Sequence, residues 1–226
     1  MHEGHRARLK ERFKKEGLDS FEQHNVLELL LFYALPQKDT NELAHELINT
    51  FGSLAGVFEA SIPDLCKVKG VKENTAILIS MIPSLCRIYY DQKNSDGIIL
   101  NSSEKAGKYL LTKYLGVNYE LVTLILLDNK CRVLSFSKIA QGSVNSTEVN
   151  IRKMVEEIIK YNATSAIMAH NHPGGIAVPS REDIESTRMV VKALRMINVN
   201  LRDHIIIADN DFISFADSNS LAGLLT

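Results

Sequence analysis

The spacing of apolar residues changes period partway along this chain, and that change limits the folds open to it. Over residues 1–93, apolar positions recur every three or four residues, in VLELLLFYAL (26–35), NELAHELINTFGS and SIPDLCKVKGVKENTAILISMI. This is the spacing that gives a helix one buried face. Beyond residue 97 the chain turns to short β-rich runs, and ELVTLILLDNKCRVLSFSKIA reads as two strands joined at Asp128-Asn129-Lys130, a hairpin. The polar run QKNSDG at 92–97 is rich in turn formers and reads as a linker. The pattern predicts two domains, an all-α one over 1–93 and an α+β one over 98–226. A chain of 226 residues, 45% of them hydrophobic, is long enough for two small cores.

Within the second domain the order of elements is legible. Ile151, Met154, Val155, Ile158 and Ile159 fall on one face of a predicted helix and form its expected buried stripe. SAIMAHNH follows as a central strand, a second helix starts near Ser180, and LRDHIIIAD and FISFAD complete the strands. There is no internal repeat and no low-complexity tract.

Charge excludes some function classes. Twenty-six basic residues oppose twenty-seven acidic ones, for a formal net charge of -1, so no whole-chain signature of nucleic-acid or membrane binding exists. Local exceptions remain: HRARLKERFKK at 5–15 places six basic side chains against one acid, either a solvated helix face or a surface that tracks a phosphate backbone. The N-terminus is charged rather than apolar, and no run reaches the roughly 18 apolar residues of a membrane span. The expected location is cytoplasmic, with no membrane partner. Cys66, Cys86 and Cys131 form no CxxC pair, which argues against a disulfide framework or a cysteine-rich zinc site and predicts buried free thiols.

The stretch AHNHPGGIAVPSREDIEST at 169–187 carries the chemistry. Residues two apart on a strand point to one face about 6.6 Å apart, so His170 and His172 can reach one ion. Pro173 stops the strand, the glycines let the chain double back, and Asp183 sits on the first turn of the next helix. Two imidazoles and a carboxylate provide three zinc ligands and leave a fourth position open, the arrangement of a catalytic rather than a structural zinc site. Helix capping competes with this reading, because Ser180 followed three residues later by an acid is also a capping box.

The pattern His-Asn-His-Pro, six residues, Ser180, two residues, Asp183 resembles the JAMM (MPN+) metalloprotease motif, and HNHPGGIAVPSRED resembles its bacterial branch, the RadC family. GHRARLKERF, VLELLLFYALPQKDT, FGSLAGVFEAS and LRDHIIIAD resemble other parts of that family. The resemblance implies a JAMM-type, cytidine-deaminase-like mixed sheet flanked by helices and a zinc-dependent hydrolase. His170, His172 and Asp183 would be its ligands, and Ser180 would bond the polarised water or oxyanion. Members of the wider group cut peptide or isopeptide bonds, and the RadC branch carries a DNA-repair label. The family's proton acceptor is a glutamate on an earlier element, which Glu120 matches in order. Glu148 at a helix start is the rival, although an acid there also suits the helix dipole. His204, before the apolar run IIIAD, is either a support to the ligands or an ordinary strand-end histidine.

LCKVKGVKENTA resembles a helix-hairpin-helix, whose tight turn presents backbone N–H groups to a phosphate without reading bases. Lys69, Gly70 and Lys72 would form that contact, with Lys72 in place of the usual second glycine; packing between helices is the alternative. Two functions therefore compete. One is a zinc hydrolase acting on a protein or peptide, with weak non-specific DNA binding through its first domain. The other is a nucleic-acid-binding accessory protein with a structural or vestigial metal site. A zinc nucleotide deaminase is disfavoured, since HxE and PCxxC are both absent.

Overall fold

The computed structural model describes residues 2–93, 97–142 and 150–225. The chain forms two compact units, Met1–Cys86 and Arg87–Thr226. The first is helical, with α1 (His2–Glu16), α2 (Gln23–Ala34), α3 (Asn41–Phe51), α4 (Leu54–Glu59), α5 (Ile62–Leu65) and α6 (Glu73–Lys93), the last of which runs on past Cys86. Leu27 and Leu31 of α2 pack with Leu43, Ala44 and Leu47 of α3 and with Val57, Leu65, Ala76 and Ile79, as the helical spacing predicts. Glu28 is 1% exposed and accepts hydrogen bonds from His5 Nε2 and Asn41 Nδ2, each at 3.0 Å, which ties α1, α2 and α3 together. Between α5 and α6 the chain turns with Val71 N–H donating to Val68 O and Gly70 at φ +99°. That left-handed angle is where glycine belongs. Lys69, Gly70 and Lys72 lie exposed around this turn.

The second unit holds α7 (Ser103–Lys113), β1 (Leu121–Leu127), β2 (Val133–Gln141), α8 (Ile151–Tyr161), β3 (Ser165–Asn171), α9 (Arg181–Arg195), β4 (Asn200–Ala208) and β5 (Asp211–Ser214). The five strands form one mixed sheet in the order β2-β1-β3-β4-β5. β3 and β4 are parallel, joined by α9, and the other neighbours are antiparallel. β3 is central, as expected of its apolar run. Strand alternation then sorts the core into two layers. Val122, Leu124, Leu126, Ala166 and Met168 pack with Met154 and Ile158 of α8 and Val190 and Leu194 of α9. Leu121, Ile125, Leu127, Ile167 and Ala169 pack with Ala106 and Leu110 of α7 on the opposite face.

Three expectations need correction. Ile159 is 68% exposed, because it lies at the edge of the α8 stripe that Met154 and Ile158 bury. Cys66 and Cys86 are exposed and Cys131 is half-buried; they lie after the single-turn α5, on an outer face of α6 and at a turn residue with φ 60°, so none joins a core. Helix α7 was not foreseen. Its segment SEKAGKYLLTK is largely polar, with a glycine inside, and only tertiary contact at Ala106 and Leu110 secures it. No described helix is long and apolar enough to cross a membrane.

Candidate metal centre

The centre is built where β3 ends and α9 begins. His170 continues the face of Ala166 and Met168, so strand alternation aims it at the α8 and α9 layer, and His172 follows on the same side. Pro173 and the glycines then carry the chain into α9. Gly174 has φ +66°, a left-handed conformation that suits it. Ser180 caps α9: its hydroxyl accepts from Asp183 N–H at 3.1 Å, while Ser180 N–H and the hydroxyl donate to Asp183 Oδ2 at 2.8 and 2.7 Å. This is a full capping box, and it uses only one carboxylate oxygen. The other, Oδ1, lies 3.1 Å from His170 Nε2. His172 Nε2 is 2.9 Å from His170 Nε2 and 3.6 Å from Asp183 Oδ2.

Among the described residues, His170, His172 and Asp183 are the one group of three side chains able to hold a metal ion, with ligand atoms all within 4.8 Å of one another. Burial alone would raise the Asp183 carboxyl, but its contacts with His170 and with the Ser180 hydroxyl and N–H hold it well below its ordinary range. It is therefore an anionic ligand at neutral pH. Behind the ligands, His204 Nε2 lies 2.9 Å from His170 Nδ1, and Thr187 Oγ1 lies 2.7 Å from His204 Nδ1. Burial pushes His204 well below its ordinary value, so it is neutral.

Glu120, Val122, Met168, Ser180, Glu182, Ser186 and His204 line the same pocket as the three ligands. Glu120 arrives there by register. Val122 pairs with His170, and Glu120, two positions earlier in the chain, lines the same pocket as His172. Asn171, between the two histidines but on the opposite face, secures this segment. Its Oδ1 accepts from Leu121 N–H at 2.8 Å and its Nδ2 donates to Tyr119 O at 3.0 Å, so the backbone is held on both sides of Glu120.

The structure thus brings together His170, His172, Asp183, Ser180, Glu120 and His204. Lys69, Gly70 and Lys72 belong to the helical unit. Glu148 lies outside the described residues. Asn171 and Thr187 went unassigned by the sequence reasoning: Asn171 stood inside the motif without a role, and nothing local marks Thr187, whose partner is a strand away.

Residues 100–221 match the family described as RadC-like JAB domain, and residues 3–77 match the one described as UPF0758 N-terminal. A relative, the UPF0758 protein FN0909 of Fusobacterium nucleatum subsp. nucleatum, is 36% identical over 222 residues, which cover 95% of this chain and 96% of that protein. Every residue lining the candidate centre falls within the segment matched to the RadC-like JAB domain.

Proposed function

Because this chain belongs to the RadC-like JAB domain family, we propose that it is a zinc-dependent hydrolase that cuts a peptide or isopeptide bond. The observation that carries this reading is the convergence of two imidazole nitrogens and a carboxylate oxygen on one point at the mouth of a pocket. The donor set suits zinc. Four nitrogen and oxygen ligands at about 2.0–2.2 Å in a tetrahedron stand about 3.3 Å apart. The observed separations of 2.9 Å between the imidazoles and 3.1 Å from His170 to Asp183 lie close to that value. Three protein ligands leave a position for water or substrate.

Zinc bound there would supply Lewis acidity, acidifying a water and polarising a carbonyl oxygen. The chain supplies the rest. Glu120, which lines the same pocket, accepts a proton from the attacking water and returns it to the departing amine. A role for Ser180 at the oxyanion requires its hydroxyl proton to leave Asp183 Oδ2, where it now points. The lining also bears on the substrate. Among the described residues it contains the carboxylates of Glu120, Glu182 and Asp183 and no lysine or arginine. Bound zinc would offset two of those three charges, so a phosphodiester would meet one excess negative charge and no basic side chain, whereas a neutral amide meets no such repulsion.

Elemental analysis of the purified full chain tests the reading, with about one zinc per chain expected. His172→Ala should abolish it, while Glu120→Gln should keep zinc and remove hydrolysis across a panel of peptide and isopeptide substrates. Full zinc occupancy in His172→Ala would sink the ligand assignment.

The second reading, a nucleic-acid-binding accessory protein with a structural or vestigial metal site, draws on the exposed turn at Lys69, Gly70 and Lys72. That turn, as a helix-hairpin-helix, would contact phosphates without base specificity. The full chain should then retain duplex DNA at low salt and release it steeply as salt rises, and Lys69→Glu with Lys72→Glu should weaken retention for all sequences. No retention at low salt would dismiss it.

A further inference from the structure

The buried pair behind the ligands has a direction that its distances fix. Thr187 sits one turn into α9, fully buried, and its Oγ1 lies 2.6 Å from Asp183 O. A carbonyl oxygen can only accept, so the single hydroxyl proton of Thr187 is committed there. The same Oγ1 is 2.7 Å from His204 Nδ1 and must accept from it. His204 therefore carries its proton on Nδ1 and presents a bare Nε2, 2.9 Å from His170 Nδ1. His170 Nδ1 must donate, so in the neutral ring, the form that ligates a metal, His170 Nε2 is bare and faces Asp183 Oδ1 at 3.1 Å.

We propose that Thr187 and His204 are positioning residues that hold His170 in its Nδ1–H tautomer, so that its Nε2 lone pair is aimed at the metal position. The proposal rests on the metal-hydrolase reading above for its purpose, though not for its geometry. The relay begins at the backbone carbonyl of Asp183 and ends beside that residue's own carboxylate. One residue thus serves as ligand and, through its main chain, sets the tautomer of the ligand opposite. His172 is held in the same state by a separate contact, Nδ1 to Ile176 O at 3.1 Å, which leaves its Nε2 bare as well. With both rings neutral, two bare nitrogens and a carboxylate oxygen face the metal position together, an arrangement that a cation relieves.

A merely structural role would not require this chemistry. His204 is 1% exposed, its ring packed 4.6 Å from that of Phe215, and apolar side chains would fill the volume of both residues without burying polar atoms. Outer partners that fix the tautomer of a ligating histidine are worth about 10–100-fold in metal affinity.

The test compares wild type, Thr187→Val, Thr187→Ser and His204→Leu in the full chain. Two quantities are measured: zinc affinity by competition with a chelator, and the protonated nitrogen of His170 by long-range proton–nitrogen NMR of the metal-free protein. Thr187→Val removes the hydroxyl at nearly constant volume. It is expected to lower zinc affinity by about 10–100-fold and to give His170 a mixture of tautomers. Thr187→Ser restores the hydroxyl and should recover both readouts; His204→Leu should lose at least as much as Thr187→Val. Wild-type zinc affinity in Thr187→Val and His204→Leu, or a metal-free wild type whose His170 is protonated on Nε2 alone, would overturn the proposal. If wild type holds no zinc, the metal reading fails separately, and the His170 tautomer in wild type against Thr187→Val still decides whether the relay orders it.

Discussion

Two helix starts in this molecule carry the same local pattern, a serine followed three residues later by an aspartate, and they do different things. At α5 the Ser61 hydroxyl accepts from Asp64 N–H at 3.2 Å and donates to Asp64 Oδ2 at 2.6 Å, and Lys67 Nζ takes Oδ1 at 2.6 Å. At α9 the Ser180 hydroxyl accepts from Asp183 N–H at 3.1 Å and donates to Oδ2 at 2.7 Å, and Oδ1 turns to His170. The local bonding nearly coincides. What differs is the occupant of the second oxygen: a solvated lysine one turn along in one case, a histidine from the central strand in the other. The Asp64 side chain is 50% exposed and that of Asp183 16%, so only the second works where water does not compete. Capping and metal ligation, which look like rival explanations of Ser180 and Asp183, are therefore compatible, since a carboxylate has one oxygen for each.

The largest expected effect follows from that second oxygen. Asp183→Ala removes the anionic ligand and leaves two neutral imidazoles, so zinc affinity should fall by more than the about 100-fold assigned to loss of an outer partner. Asp64→Ala should leave zinc binding unchanged and alter stability little, as for an exposed ion pair and partial cap. Chelator competition and denaturant melts on the two variants check this. Equal zinc affinity in both would mean that the two helix starts are alike after all.

How much of this was legible in the sequence depends on the range over which each feature is specified. His170, His172 and Asp183 lie within one strand, one loop and one helical turn, so period, turn residues and ligand chemistry suffice to find them. The hairpin at Asp128-Asn129-Lys130 and the central position of β3 follow from runs long enough to set their own period. Glu120 required a family order, because its approach to His172 depends on the pairing of Val122 with His170, and register is a tertiary property. Thr187 gives no local sign. A threonine bonding the carbonyl four residues back is ordinary in a helix, and its meaning comes from His204 on a different strand. Helix α7 is missing from the sequence reading for a related reason, since Ser103–Lys113 is polar enough that its burial against β4 and β5, rather than its period, identifies it.

The smallest effect sharpens the comparison most, because it removes the shared feature and keeps the differing one. Ser61→Ala and Ser180→Ala each delete one acceptor for a helix N–H and one donor to the aspartate, for an expected cost of about 0.5–2 kcal/mol. The cost at Ser180 should be the larger. Its hydroxyl is half-buried and caps a helix of 15 residues, whereas Ser61 caps one of four. Asp183 nonetheless keeps the Ser180 N–H at 2.8 Å on Oδ2, and that main-chain bond is untouched by the substitution. The carboxylate should therefore stay oriented, and zinc affinity in Ser180→Ala should change by less than about tenfold, below the effect of losing a partner that fixes a ligand. A loss as large as that of Asp183→Ala, measured by the same chelator competition, would show that the serine hydroxyl, and not the main chain of the cap, aims Oδ1 at His170.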